Sequence, residues 1–142
     1  MIEAAFVVAT VIVLLFIGFH LVPMFLHLET VVDAARQGAN AAAVQGSLDQ
    51  GCAAGISYST QKLADAGILQ GAHITITVAP ANAVPLYQRG SIITVSVQAS
   101  IPLLWGGSTQ FQSSASEEIQ PGRSHWPVPR GVSLNGLCSY SG

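Results

Sequence analysis

From Ala4 to Leu28 the chain reads AAFVVATVIVLLFIGFHLVPMFLHL, without one Asp, Glu, Lys or Arg. Glu3 is the only charged side chain before Glu29. As a helix this stretch rises about 37 Å, and a bilayer span needs about 20 mostly apolar residues. A secretory signal peptide has a shorter apolar core, roughly 7–15 residues, between a basic flank and a small-x-small cleavage site. Here the flank is acidic, the run is longer and no clean cleavage site follows. The pattern therefore predicts a retained, membrane-competent helix.

The pattern then turns amphipathic. Leu28–Val44 reads LETVVDAARQGANAAAV, free of proline. Glu29, Asp33 and Arg36 can share one face, and Asp33 and Arg36 are spaced for an i,i+3 pair that would be worth only tenths of a kcal/mol. Val32, Ala35, Ala39, Ala42 and Ala43 make a stripe of small residues that admits a close neighbouring backbone. The high helix propensity of alanine accounts for the same residues equally well. Gly46–Ser47 and then Asp49–Gly51 read as stop signals. One helix of more than forty residues is expected, apolar first and amphipathic later. Pro23 has no N–H and its ring meets the carbonyl of Phe19, while Gly18 loosens the preceding turn. These two predict a kink or a short melted segment, with a modest bend as the milder alternative.

Beyond Cys52 the period changes. Ile56–Ile68 predicts a short helix capped by Ser57 or Ser59, with Leu63 and Ala66 inward and Gly67 ending it. His73–Ala79 alternates strictly, with Ile74, Ile76 and Val78 on one face and Thr75 and Thr77 on the other, as in a half-buried strand. Pro80–Gly90 reads as a loop. Ser91–Ile101 alternates again, with Ile93, Val95, Val97, Ala99 and Ile101 inward. Pro102–Gly107 makes the turn, and Thr109–Glu117 is a weaker third strand with Phe111, Ser113 and Ala115 inward. Three such strands make a thin core alone, so Leu63, Ile68 and the amphipathic half of the long helix must cover them. The tail from Gln120, with Trp126, Val128, Val132, Leu134 and Leu137, reads as an irregular strap carrying at most one short edge strand. The fold class is α+β: an N-terminal helix over residues 1–50 and a small antiparallel β-sheet head with a Pro/Gly-rich tail over residues 51–142.

Composition agrees with this division. Of the 142 residues 50% are apolar and 8% charged, against roughly 25% charged in an average soluble domain. Mean hydropathy is +0.50, and these values argue against intrinsic disorder, which needs low hydrophobicity and high net charge. A net charge of −2 and five scattered cations, Arg36, Lys62, Arg89, Arg123 and Arg130, leave no footprint for nucleic acid. So little charge points to a chain covered in part by lipid or by copies of itself.

Cys52 and Cys138 bracket most of the head, and an even count beyond a membrane suggests a disulfide. The alternative is two free buried thiols. Catalytic patterns are weak. His20 and His27 lie seven apart, near Glu29, whereas helical zinc sites favour i,i+4 histidines with a further ligand. No G-x-S-x-G elbow, phosphate loop or Cys-x-x-Cys occurs, and His73 and His125 have no evident partner. No enzyme activity, cofactor or metal is expected.

An acidic residue near the start, a long apolar helix, a proline in the low twenties and a small β-rich head resemble a type IV pilin. The head is similar to the TadE-like pilins and pseudopilins through DAARQGANAAAV, KLADAGI, ITITV, RGSIITVSVQASIPLLWGG and a strand ending SASEEI. The resemblance covers most of the chain to Ile119 and rests on the order of elements. It implies leader removal by a prepilin peptidase and residence in the membrane with the head outward. Assembly machinery would then extract the subunit into an extracellular homopolymer whose core is the bundled N-terminal helices. On this reading Glu3 pairs with a neighbour's N-terminal amine, since a carboxylate in a dry bundle is costly unless paired; the alternative places Glu3 at the lipid headgroups. A second reading is a single-span minor pseudopilin or partner-binding membrane protein.

Overall fold

The computed structural model describes residues 2–79, 90–103, 106–120 and 137–142, with side chains for all of these except residues 2–5, His20 and Leu137. It has a helix α1 (Ile2–Ala43), a helix α2 (Leu48–Asp65), and strands β1 (His73–Ala79), β2 (Ile92–Pro102), β3 (Ser108–Glu118) and β4 (Leu137–Ser141). The four strands form one antiparallel sheet in the order β3-β2-β1-β4. The expected α+β arrangement is present, with a long N-terminal helix and a small antiparallel sheet.

α1 runs unbroken to Ala43, and the chain turns at once into α2. Ser47 is extended (φ −149°, ψ 160°) and its Oγ accepts the N–H of Gln50 at 3.4 Å. Asp49 lies in the first turn, where a carboxylate complements the helix dipole. Asp49–Gly51, expected to stop a helix, therefore start one. The short helix expected after Cys52 is longer, and its cap is Ser47 rather than Ser57 or Ser59. α2 closes as expected at Gly67, whose φ of 70° suits a residue without Cβ. Ile68 N–H donates to Leu63 O and Gly67 N–H to Ala64 O, both at 2.9 Å, the paired bonds of a Schellman ending.

β1 occupies the expected residues, and β2 and β3 lie within one residue of theirs. Strict alternation makes the inner face apolar. Ile74 pairs with Val97, Ile76 with Val95 and Val78 with Ile93. These six, with Ala99 and Ile101, are buried. Each fully buried Val or Ile contributes about 1.5–3 kcal/mol. Leu63, Ile68 and the second half of α1, from Val31 to Ala43, complete the same core. The tail supplies β4, an edge strand on β1; Trp126, Val128, Val132 and Leu134 lie outside the described residues. The opposite face of the sheet is hydroxyl and amide, with rows such as Thr75–Ser96–Ser114 and Thr77–Thr94–Ser116.

Candidate functional site

The apolar half of α1 stands outside this core. Every described side chain from Phe6 to Pro23 is exposed, Phe6 and Phe19 each to 75%. Covering begins only at Met24, His27 and Leu28, which are half-buried, and is complete at Val31. The best window of this helix has a mean hydropathy of 2.5 with none of it buried. The exposed part, Phe6–Pro23, rises about 27 Å. By length and composition it is able to cross a membrane, as a span or as a signal sequence. The hydroxyls along α1 are turned back on the helix: in the exposed part Thr10 Oγ1 donates to Phe6 O, and just beyond it Thr30 Oγ1 donates to Leu26 O, each at 2.9 Å. Neither presents an unsatisfied group to an apolar surrounding.

No melted segment separates Gly18 from Pro23, because α1 is helical throughout. Proline removes one N–H from the ladder, and the turns on either side hold the helix. A Cβ at Gly18 would meet nothing within 4 Å. The pair leaves a shallow apolar notch lined by Leu14, Leu15, Gly18, Phe19, Val22 and Pro23. Glu3 lies in α1, and its side chain is outside the described residues, as is that of His20. His27 is half-buried. Among the described residues no three His, Cys, Asp or Glu side chains gather as metal ligands.

α1 is built into the head through a close helix crossing. A Cβ at Gly38 would collide with Ser59 Oγ and come within 3.1 Å of Gly55 O. A Cβ at Gly55 would lie 2.7 Å from Ile76 Cδ1 and 3.2 Å from Gly38 O. Ser59, fully buried, donates from Oγ to Ala34 O at 3.0 Å. The crossing is thus Ala34–Gly38–Ala42 against Gly51–Gly55–Ser59, small residues at every fourth position on both helices. The expected stripe is real at Ala35, Ala39, Ala42 and Ala43, all buried. It is used inside the subunit, against α2 and the sheet. Val32 is 39% exposed, and Val31 takes the inward position instead. The i,i+4 glycines of α2 carried this signal, which a reading of Gly51 as a breaker concealed.

A disulfide joins Cys52 to Cys138, with Cα atoms 6.2 Å apart across 86 residues of sequence. Cys52 lies in α2 and Cys138 in β4. The bridge ties the edge strand of the sheet to the helix packed behind it.

Comparisons with family models, with curated proteins and with solved structures find no match to this chain.

Proposed function

We propose that the chain is a structural, pilin-like subunit that polymerises through α1 into an extracellular filament and resides in the membrane by the same helix before assembly. A prepilin peptidase and an assembly machinery are its partners on this reading. The observation that carries it is the apolar half of α1, exposed on all sides and continuous with a helix packed into the head. A helix apolar all round needs lipid or other helices about it. The head's own core is complete from Val31 onward and leaves Phe6–Pro23 uncovered. The resemblance in element order to TadE-like pilins supports the same function.

The length of the exposed segment, about 27 Å against a hydrocarbon core of about 30 Å, also suits a second reading, a single-span minor subunit or membrane-anchored partner-binding protein. Negative-stain microscopy of sheared surface material separates the two. Long filaments made mainly of this chain support the polymer; their absence, with the chain retained in membranes, supports the anchor. Val13 is 55% exposed in mid-segment. Val13→Asp is expected to abolish filaments, because an aspartate at the centre of an apolar helix costs about 3 kcal/mol. Normal filament yield from that variant would refute the buried-bundle role.

A further inference from the structure

Among the described residues, one long edge of the sheet carries no further strand. β3 stands at the end of the order β3-β2-β1-β4, and its residues pair one for one with β2 from Ser108 to Glu118. Leu103 N–H donates to Gly107 O and Ile119 N–H to Ser91 O, one rung beyond each end of that pairing. Hydrogen-bonded and non-hydrogen-bonded pairs alternate along an antiparallel ladder. The odd-numbered residues of β3 therefore bond to β2. The even-numbered ones, from Ser108 to Glu118, turn their N–H and C=O groups away from it, and all of these residues are exposed. Edge strands are commonly blunted by proline, lysine or a bulge. β3 has none of these, and its charges are confined to Glu117 and Glu118.

A second, antiparallel β3 fits this edge. The register that pairs all 11 residues has its two-fold axis at Ser113. It sets Phe111 opposite Ala115, large against small. It sets the two glutamates opposite Thr109 and Ser108, so no acid meets an acid.

α1 adds to the same surface. It packs on β2 and β3, while α2 packs on β1 and β4. The face of α1 turned to α2 is Ala34–Gly38–Ala42. At about 100° per residue, Glu29, Asp33, Arg36 and Asn40 lie on the opposite side, above the open edge, and all four are exposed. Among the described residues Asp33 and Arg36 form no ion pair.

α1 runs antiparallel to β2. Gln120 N–H donates to Ala43 O at 3.3 Å, beside the start of β2, and further along the strand Val95 Cγ1 lies 3.3 Å from a Cβ placed on Gly38. Val95 pairs with Ala115 and Val97 with Ser113. Val95 and Val97 are about 7 Å apart, a length of four to five helical residues. The axis through Ser113 therefore passes α1 near Ala34. With neighbouring strands about 4.8 Å apart, two α1 helices related by that axis lie antiparallel about 10 Å apart, the spacing of packed helices. Asp33 of each copy then faces Arg36 of the other.

We infer that the β3 edge and the adjoining flank of α1 form a two-fold contact with a second copy of this chain, joining two four-stranded sheets into one. The apolar halves of α1 leave the pair in opposite directions. The two copies thus come from facing membranes, or from filaments laid side by side in opposite sense. Only that placement rests on the proposed function; the pairing of the heads does not.

The full chain, with one cysteine added, is reconstituted in phosphatidylcholine vesicles and mildly oxidised. At the axis the two copies of residue 113 form a non-hydrogen-bonded pair with Cα atoms about 4.5 Å apart, within reach of a disulfide. Ser113→Cys is expected to give a covalent dimer, with clustering of the vesicles. Ala115→Cys, about 14 Å from its own copy, is expected to give little. Arg36→Asp in the Ser113→Cys chain is expected to lower the dimer yield several-fold, and adding Asp33→Arg to restore it. No dimer from Ser113→Cys, or equal yields from Ser113→Cys and Ala115→Cys, overturns the contact. A yield indifferent to both charge changes overturns the part played by α1. Dimers without clustering place both copies in one membrane and overturn the opposed arrangement. Loss of filaments with the dimer retained overturns the polymer reading alone.

Discussion

At Gly38 one hydrogen atom decides how closely two helices approach. Alanine there meets Ser59 Oγ and the carbonyl of Gly55, one movable neighbour and one that is backbone. Overpacking of this kind costs about 1–3 kcal/mol, and replacing a helical glycine by alanine returns up to about 1 kcal/mol. Gly38→Ala is expected to be net destabilising by about 1–2 kcal/mol, seen as a lower melting temperature. Adding Ser59→Ala removes the colliding oxygen together with its bond to Ala34 O. The double variant is expected to be less destabilised than the sum of the two single ones. Strict additivity would show that the residues do not share this contact. None of this was legible from propensity, which ranks glycine as a breaker wherever it stands. A glycine needed for a close crossing looks the same in sequence as one that ends a helix. The spacing of Gly51, Gly55 and Ser59 distinguishes them, once the partner Ala34, Gly38 and Ala42 is read with it.

Among the elements, the strands were the most legible because each has one wet and one dry face. β1 alternates from Ile74 to Val78 and β2 from Ile93 to Ile101, with Ile92 an apolar residue on the wet face of β2. β3 read as weaker for a physical reason: at the sheet edge its inward Phe111, Ser113 and Ala115 are only half-buried. The long helix was legible from its apolar run, and its core face from the alanines. β4 was barely legible, since five residues next to a Pro/Gly-rich stretch hold too short a pattern. What holds β4 is covalent as well as hydrogen-bonded. Closing a loop of 86 residues contributes on the order of 4 kcal/mol by the chain-entropy estimate. Cys138→Ser is expected to lower the melting temperature and to speed amide exchange first in Leu137–Ser141 and in its partner residues His73–Thr77. Equal melting with and without reductant would show that packing alone retains the strand.

For the molecule as a whole, the candidate site is half of a helix, apolar all round, rather than a cluster of side chains, so hydropathy along the chain reveals it directly. Partners do not follow from hydropathy, because lipid and neighbouring helices offer α1 the same apolar surroundings. Glu3 is the residue that tells them apart. In the filament reading its carboxylate pairs with a neighbour's N-terminal amine. Glu3→Ala is then expected to reduce filament yield while membrane insertion and head melting stay as in the parent. Assembly at the parental rate would remove the pairing role.

The continuity of α1 also determines how the head bears force. The same 42-residue helix is both the handle outside the core and one wall of the core. A pull on its N-terminal end, such as a stretched filament or an anchored cell would exert, acts along the axis of α1. That axis runs alongside β2 and past α2, so the load falls in shear on the crossing at Gly38–Gly55 and on the buried alanine face together. Contacts loaded in shear must break at once, whereas contacts peeled from one end break one by one. No flexible linker intervenes between handle and wall to absorb extension. The head is therefore expected to unfold at a higher force when pulled along α1 than when pulled from its C-terminal strand, where β4 unzips rung by rung as far as the Cys52–Cys138 bridge.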